Sequence, residues 1–142
     1  MLGLREIVGE VIDLLQDAPA FANAELSELY PAPGVTAPLE HCAAAVGITG
    51  AEVYSNAFED YREDGSFAKY AKVTVGITLL SPVWAGGGEC QKLFCAACEA
   101  LVFDPELCAQ SIRIKEIGYD SRLDAYEMQC ELCVETMLQA VE

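Results

Sequence analysis

From Tyr126 to Met137 the chain alternates without a break. Tyr126, Met128, Cys130, Leu132, Val134 and Thr136 fall on one side, and Glu127, Gln129, Glu131, Cys133, Glu135 and Met137 on the other. Successive side chains of a strand point to opposite faces, so a two-residue period this long reads as a strand with one buried and one wet face. Such a strand belongs in a sheet whose apolar face is covered. Ser111–Tyr119 precedes it, with Ile112 and Ile114 on one face and Arg113 and Lys115 on the other, and Asp120–Asp124 forms the turn between the two. Outward cations opposite outward Glu residues favour an antiparallel hairpin.

A further strand is read over Ala71–Leu80, where Val73, Val75, Ile77 and Leu79 alternate with Lys72, Thr74, Gly76 and Thr78, and Ser81-Pro82 ends it. Two segments carry the helical period instead. Leu4, Ile7, Val8, Val11, Leu14 and Leu15 mark a helix over Leu4–Leu15, stopped by Pro19. Cys90, Leu93, Phe94, Ala97, Leu101 and Val102 mark a second over Glu89–Phe103, entered from Gly86-Gly87-Gly88 and closed by Asp104-Pro105. Phe21–Tyr30 reads as a short turn of helix opened by Asn23, before the loop that Pro31-Ala32-Pro33-Gly34 enforces. Leu39–Val46 and Glu52–Glu59 read as strands joined by a turn at Gly47-Ile48-Thr49-Gly50, although Ala43-Ala44-Ala45 is equally compatible with helix. The expectation is one α+β domain over residues 1–142. It has an N-terminal helix, a mainly antiparallel sheet with one packed helix, and a C-terminal β-hairpin.

Its 142 residues suffice for a proper core, and 53% hydrophobic content argues against disorder despite a net charge of −15. The charge is uneven. Ten acids lie between Glu6 and Asp60, and no Lys or Arg between Arg5 and Arg62. Gripping a phosphate backbone needs a cationic surface, so direct nucleic-acid binding is not expected. No apolar run approaches the about 20 residues that span a bilayer, and Glu6, Glu10 and Asp13 interrupt the first apolar stretch, so neither a membrane span nor a signal peptide is expected.

Seven cysteines, an odd number with no secretion signal, argue against a disulfide framework. Cys95-Ala96-Ala97-Cys98 and Cys130-Glu131-Leu132-Cys133 have the spacing of a four-thiolate zinc site. Residues three apart on a strand face opposite ways, however, so Cys130 and Cys133 cannot both reach one ion. Core packing is the reading, with no metal and no cofactor. Cys95 and Cys98 fall in mid-helix, away from the N-terminus that would stabilise a redox thiolate. His41, the only histidine, precedes Cys42 on an extended segment where the two side chains diverge, so they make no nucleophilic pair. No catalytic residue is assigned. The candidate contact site is the loop Glu59–Phe67, in which Asp60, Tyr61, Arg62, Asp64 and Phe67 combine charge with the aromatic and Arg residues enriched at protein interfaces.

One family is similar in these elements. Val73-Thr74-Val75-Gly76-Ile77-Thr78-Leu79-Leu80-Ser81-Pro82, the glycine link with helix Glu89–Phe103, and the hairpin from Ile112 to Val134 resemble the tail-terminator proteins of long-tailed bacteriophages and their prophage remnants, which act in tail completion and head–tail joining. The resemblance covers the last half of the chain by sequence and the first half by element order. It implies a structural protein without enzymatic activity, forming a homo-oligomer, a hexameric ring that caps the tail tube. It further implies contacts with other tail or neck proteins, and a place in the bacterial cytoplasm during assembly and in the virion when the prophage is active. The cysteines are not part of that pattern. A small cytosolic adaptor or chaperone-like module would share the acidic surface without a ring, and a thiol-dependent enzyme would need one cysteine far more reactive than the other six.

Overall fold

The long alternating segment is the strand around which the sheet is organised. A computed structural model describes residues 3–29, 39–54, 68–86 and 88–139. The strand, β5 (Ala125–Gln139), pairs antiparallel along its whole length with β3 (Ala68–Pro82), and on its other side with β4 (Ala109–Asp120). β2 (Ala43–Val53) runs antiparallel to β3, and the short β1 (Glu25–Glu28) adds parallel to β2. The order across the sheet is β1-β2-β3-β5-β4, with β1 and β4 at the edges.

Two helices cover one face of this sheet. A 3-10 turn, Leu4–Glu6, leads into α1 (Ile7–Asp17), which lies over β1 and β2. α2 (Gly88–Val102) lies over β3, β4 and β5 and touches α1. Each helix buries the middle of the stripe read from the sequence, while Leu4, Val8, Leu14 and Phe94 are half-buried and Val102 is exposed. Ile7, Val11 and Leu15 from α1 meet Cys90, Leu93, Ala97 and Leu101 from α2 above Val73, Val75, Ile77, Leu79, Met128, Cys130, Leu132 and Val134. A smaller cluster lies on the opposite face, where Leu39, Ala43, Leu80, Leu123 and Ala125 meet, and the Leu39 N–H donates to the Leu123 carbonyl at 2.9 Å.

Two readings of the first half change, and one alternative is decided. Gly47-Ile48-Thr49-Gly50 is not a turn. β2 runs through it as one strand, and a bulge at Thr49 absorbs the extra residue between Ile48 and Gly50. The glycine needed by this arrangement is Gly76 of β3, because a Cβ there would come within 2.5 Å of Thr49 Cγ2. Ala43-Ala44-Ala45 is strand, since it sits buried between β1 and β3, where a packed small face outweighs alanine's helix preference. Asn23 opens no helix. The 3-10 turn is Pro19–Phe21, and Glu25–Glu28 is β1. Of the segment Glu52–Glu59, Glu52 and Val53 complete β2 and residues 55–59 lie outside the described residues.

A candidate protein-contact surface

The loop singled out from the sequence, with Asp60, Tyr61, Arg62, Asp64 and Phe67, lies outside the described residues. The other candidate residues are placed, and the structure separates them. Cys130 is buried under α2, opposite Ile77, whereas Cys133 is half-buried on the other face, opposite Thr74. Cys95 is exposed on α2. Among the described residues no three metal-ligating side chains converge.

The buried thiols are held protonated. Burial pushes Cys90 up to about 11 and Cys130 up to about 12, the latter helped by its neighbours Cys98 and Cys90. Cys90 is boxed in by backbone, its Sγ lying 3.8 Å from the carbonyls of both Leu79 and Tyr126. Burial also raises Cys42, against a partly offsetting Ser81 hydroxyl, and it raises Cys98 with help from Cys95. A thiol without thiolate character is a poor nucleophile or metal ligand. His41 is exposed and Cys42 half-buried. Both border a cleft of about 430 Å3 with Trp84 and Glu89, but the raised thiol there is not an activated one.

What the described surface offers instead is a set of exposed apolar side chains. β4 has a neighbour on one side only, and its register explains what its free flank presents. Ile112 pairs with Leu132 and Ile114 with Cys130. A bulge at Lys115 then shifts the count by one, so that Ile117 meets Met128 and Tyr119 meets Tyr126. Those four partners share the helix-covered face, so Ile112, Ile114, Ile117 and Tyr119 share it too. α2 does not reach far enough to cover them all. Ile114 is 39% exposed, Ile117 59% and Tyr119 56%. Tyr119 is fixed edge-on to Tyr126, with ring centroids 6.3 Å apart, and its hydroxyl donates to Asp124 Oδ1 at 2.6 Å. The same strand carries Arg113, whose Nη2 lies 2.9 Å from Glu131 Oε1, and the exposed Lys115 on the bulge. The two cations of the strand belong to the opposite face, and an exposed apolar row on a chain this acidic is unusual surface. Its signal in the sequence is a phase break, since Ile117 and Tyr119 are out of step with Ile112 and Ile114.

A second surface feature lies between the helices. Leu14, Asp17, Ala18, Pro19 and Ala20 at the end of α1 face Ala96, Glu99 and Ala100 of α2 across an open cleft of about 520 Å3. Its walls are small and apolar, and its two charged residues are acids. On the face away from the helices, a trough of about 300 Å3 runs over Gly76 between Thr49 and Lys115. There the Gln129 side-chain amide donates to Glu127 Oε1 at 2.7 Å. Among the described residues no helix is long and apolar enough to cross a membrane.

No family model matches the chain, and neither does any curated protein. Among solved structures it is similar to a chain from the virion of the native gene transfer agent particle, with a TM-score of 0.56 and 13% sequence identity over 97% of this chain and 96% of that one. What the two chains share is a fold, from one end to the other.

Proposed function

We propose that this chain is a structural subunit of a phage-like virion, and within it a tail-terminator-like protein that forms a ring at the end of the tail tube. The observation that carries the reading is the end-to-end likeness to a virion chain, 97% of one and 96% of the other, which supports a role for the whole fold instead of a borrowed motif. The chemistry of the side chains supports a non-enzymatic role. Four of the seven cysteines have raised thiol pKa values, and two of them are buried.

The charge gives the ring its logic. A wall past which DNA moves must not hold phosphate, and a chain of net charge −15, with no Lys or Arg between Arg5 and Arg62, is suited to repel it. The subunits are identical and join head to tail, a geometry that closes when the rotation between neighbours permits, with six copies as the number the resemblance implies. Other tail or neck proteins are the further partners, with the loop bearing Asp60, Tyr61, Arg62, Asp64 and Phe67 as their contact. The protein would be made in the bacterial cytoplasm and end in the virion.

The test is sedimentation of the purified chain across a salt series, with electron microscopy of what forms. Salt screens the acids that repel across subunit contacts, so a closed oligomer of fixed size should grow in with ionic strength. A ladder of open filaments, or tight binding of duplex DNA at moderate salt, would overturn the reading.

A further inference from the structure

We propose that subunits join edge to edge, β4 of one copy pairing antiparallel with β1 of the next, so that one sheet runs on from subunit to subunit. The inference rests on the ring reading and names the two strands that meet. β1 and β4 are the free edges of the sheet. β1 runs with β2, and each step from β2 through β3 and β5 to β4 reverses direction, so the two edges run opposite ways. A rotation about an axis along the strands, carrying one copy onto the next, keeps strand direction and the helix-covered side. It sets β4 beside the neighbour's β1 as an antiparallel pair with matched faces. That is a heterologous contact, the kind that closes into rings.

Both edges have backbone groups to spare where they would meet, because along a strand these groups point to alternate flanks. The Glu25 N–H donates to the Cys42 carbonyl and the Leu29 N–H to that of Val46, so Leu26 and Glu28 turn theirs to the free flank of β1. At the far end of β2 the Tyr54 N–H donates to the Tyr70 carbonyl, so Tyr70 is bonded to β2 and every second residue from Ala71 to β5. Leu132 and Cys130 are thus engaged with β3, and Glu131 and Cys133 with β4, which leaves Ile112 and Ile114 turned outward. Unpaired edge groups of this kind are a template for another strand.

The side chains select one register. With Leu26 opposite Ile112, two outward-turned backbones pair and two apolar side chains meet on the helix-covered face. On the other face Ser27 meets Ser111, and Glu25 meets Arg113, whose guanidinium lies 2.9 Å from Glu131 and has further donors to give. The run of β4 that is used, Ser111–Ile114, lies between its two bulges. Moving the register by one would turn Leu26 to the wrong face, and moving it by two would set Glu28 against Ile112.

Charge reversal tests the pair. Glu25 and Arg113 are both exposed, so Glu25→Arg and Arg113→Glu should leave the fold intact by circular dichroism. At the lowest salt at which the native chain assembles, each should weaken apparent subunit affinity about tenfold, because like charges then face each other across the edge. Both changes in one chain restore the pair and should bring affinity back to within about threefold of native. Ile112→Pro tests the ladder, since an edge strand accepts proline where its N–H faces outward, and this variant should fold and stay monomeric. Hydrogen exchange reads the same ladder without a mutation: the Leu26 and Ile112 amides should slow on assembly, and that of Arg113 should not. A double variant no better than the single ones, beside a native chain that closes into rings, overturns this contact and leaves the ring reading standing. Unchanged exchange at Leu26 and Ile112 in assembled rings has the same meaning. Rescue by the double variant in open filaments keeps the contact and removes the ring. A native chain that stays monomeric at high concentration and high salt overturns the contact.

Discussion

Cys130 and Cys133, three residues apart in one strand, lie on opposite faces of the sheet. Cys130 is 3% exposed between Ile77 and Ile114 on the helix-covered side, and Cys133 is half-buried between Thr74 and Ser111 on the other. A Lys at position 130 would bring an unpaired charge into the core, which costs about 3 kcal/mol or more, whereas Cys133→Lys should stay within about 0.5 kcal/mol. Chemical denaturation of the two variants measures this directly. Equal losses would mean that the register of β5 is wrong.

The contact of Gly76 with Thr49 yields a second prediction. The bulge in β2 lays Thr49 over Gly76, and its hydroxyl donates to the Thr74 carbonyl at 3.5 Å. Gly76→Ala should therefore destabilise the fold by about 1–2 kcal/mol through overpacking. Thr49→Ser removes the methyl that would clash and keeps the hydroxyl. The double variant should recover most of the loss, a coupling that a double-mutant cycle reads out. Additive effects would show that the two side chains do not meet.

The same pair shows where a sequence can mislead. Long alternating or helical runs are legible because burial on one side writes a period: β5, β3, α1 and α2 all carry one, and their residues in the main core cluster are ones the pattern picks. Gly47 and Gly50 look like punctuation, because glycine's commonest local meaning is a turn. Here Gly47 pairs with Gly76 and Gly50 with Thr74 inside a ladder, and the glycine that close approach requires is Gly76, which only its neighbour Thr49 reveals. β1 is too short at Glu25–Glu28 to establish a period, and its parallel pairing with β2 is non-local. On β4 the bulge at Lys115 breaks the alternation, so the row through Ile117 and Tyr119 could not be assembled by counting in twos. The contact loop at Asp60–Phe67 stands out by composition, a criterion blind to an apolar row on an edge strand.

The buried thiols predict how stability responds to alkali. Burial raises Cys90 to about 11 and Cys130 to about 12 from an ordinary value of 9.0. Their folded values lie above the unfolded one, so between these the unfolded chain loses its protons first, and stability falls as pH rises. The full contribution is present below about pH 9 and is lost progressively towards pH 12. Replacing Cys130 by Val should flatten part of that slope in denaturation curves measured from pH 8 to 11. The same burial should order the thiols in a labelling experiment at pH 8. Cys95 should react promptly with a disulfide reagent, and Cys90 and Cys130 only as fast as the protein opens. Prompt labelling of Cys130 in the folded chain would contradict its placement beneath α2.

Tyr119 offers a probe of the β4–β5 turn that does not depend on assembly. Its hydroxyl donates to Asp124 Oδ1 at 2.6 Å, and Asp124 holds a left-handed backbone, φ 50°, at the end of the turn. A second Asp shapes the same turn, since Asp120 Oδ1 accepts from the backbone N–H groups of Arg122 and Leu123 at 2.9 and 3.1 Å. The carboxylate beside Tyr119 favours the protonated phenol, first through the hydrogen bond and then through its charge, so Tyr119 should ionise above its usual value of 10.0. Asp124→Gly removes that carboxylate while suiting the left-handed backbone, and Tyr119 should then titrate at a lower pH than in the native chain. Absorbance near the tyrosinate band, with Tyr119→Phe as the subtraction control, isolates this one phenol among the chain's six tyrosines. An Asp124→Gly titration that matches the native one would mean that the hydrogen bond does not persist in solution.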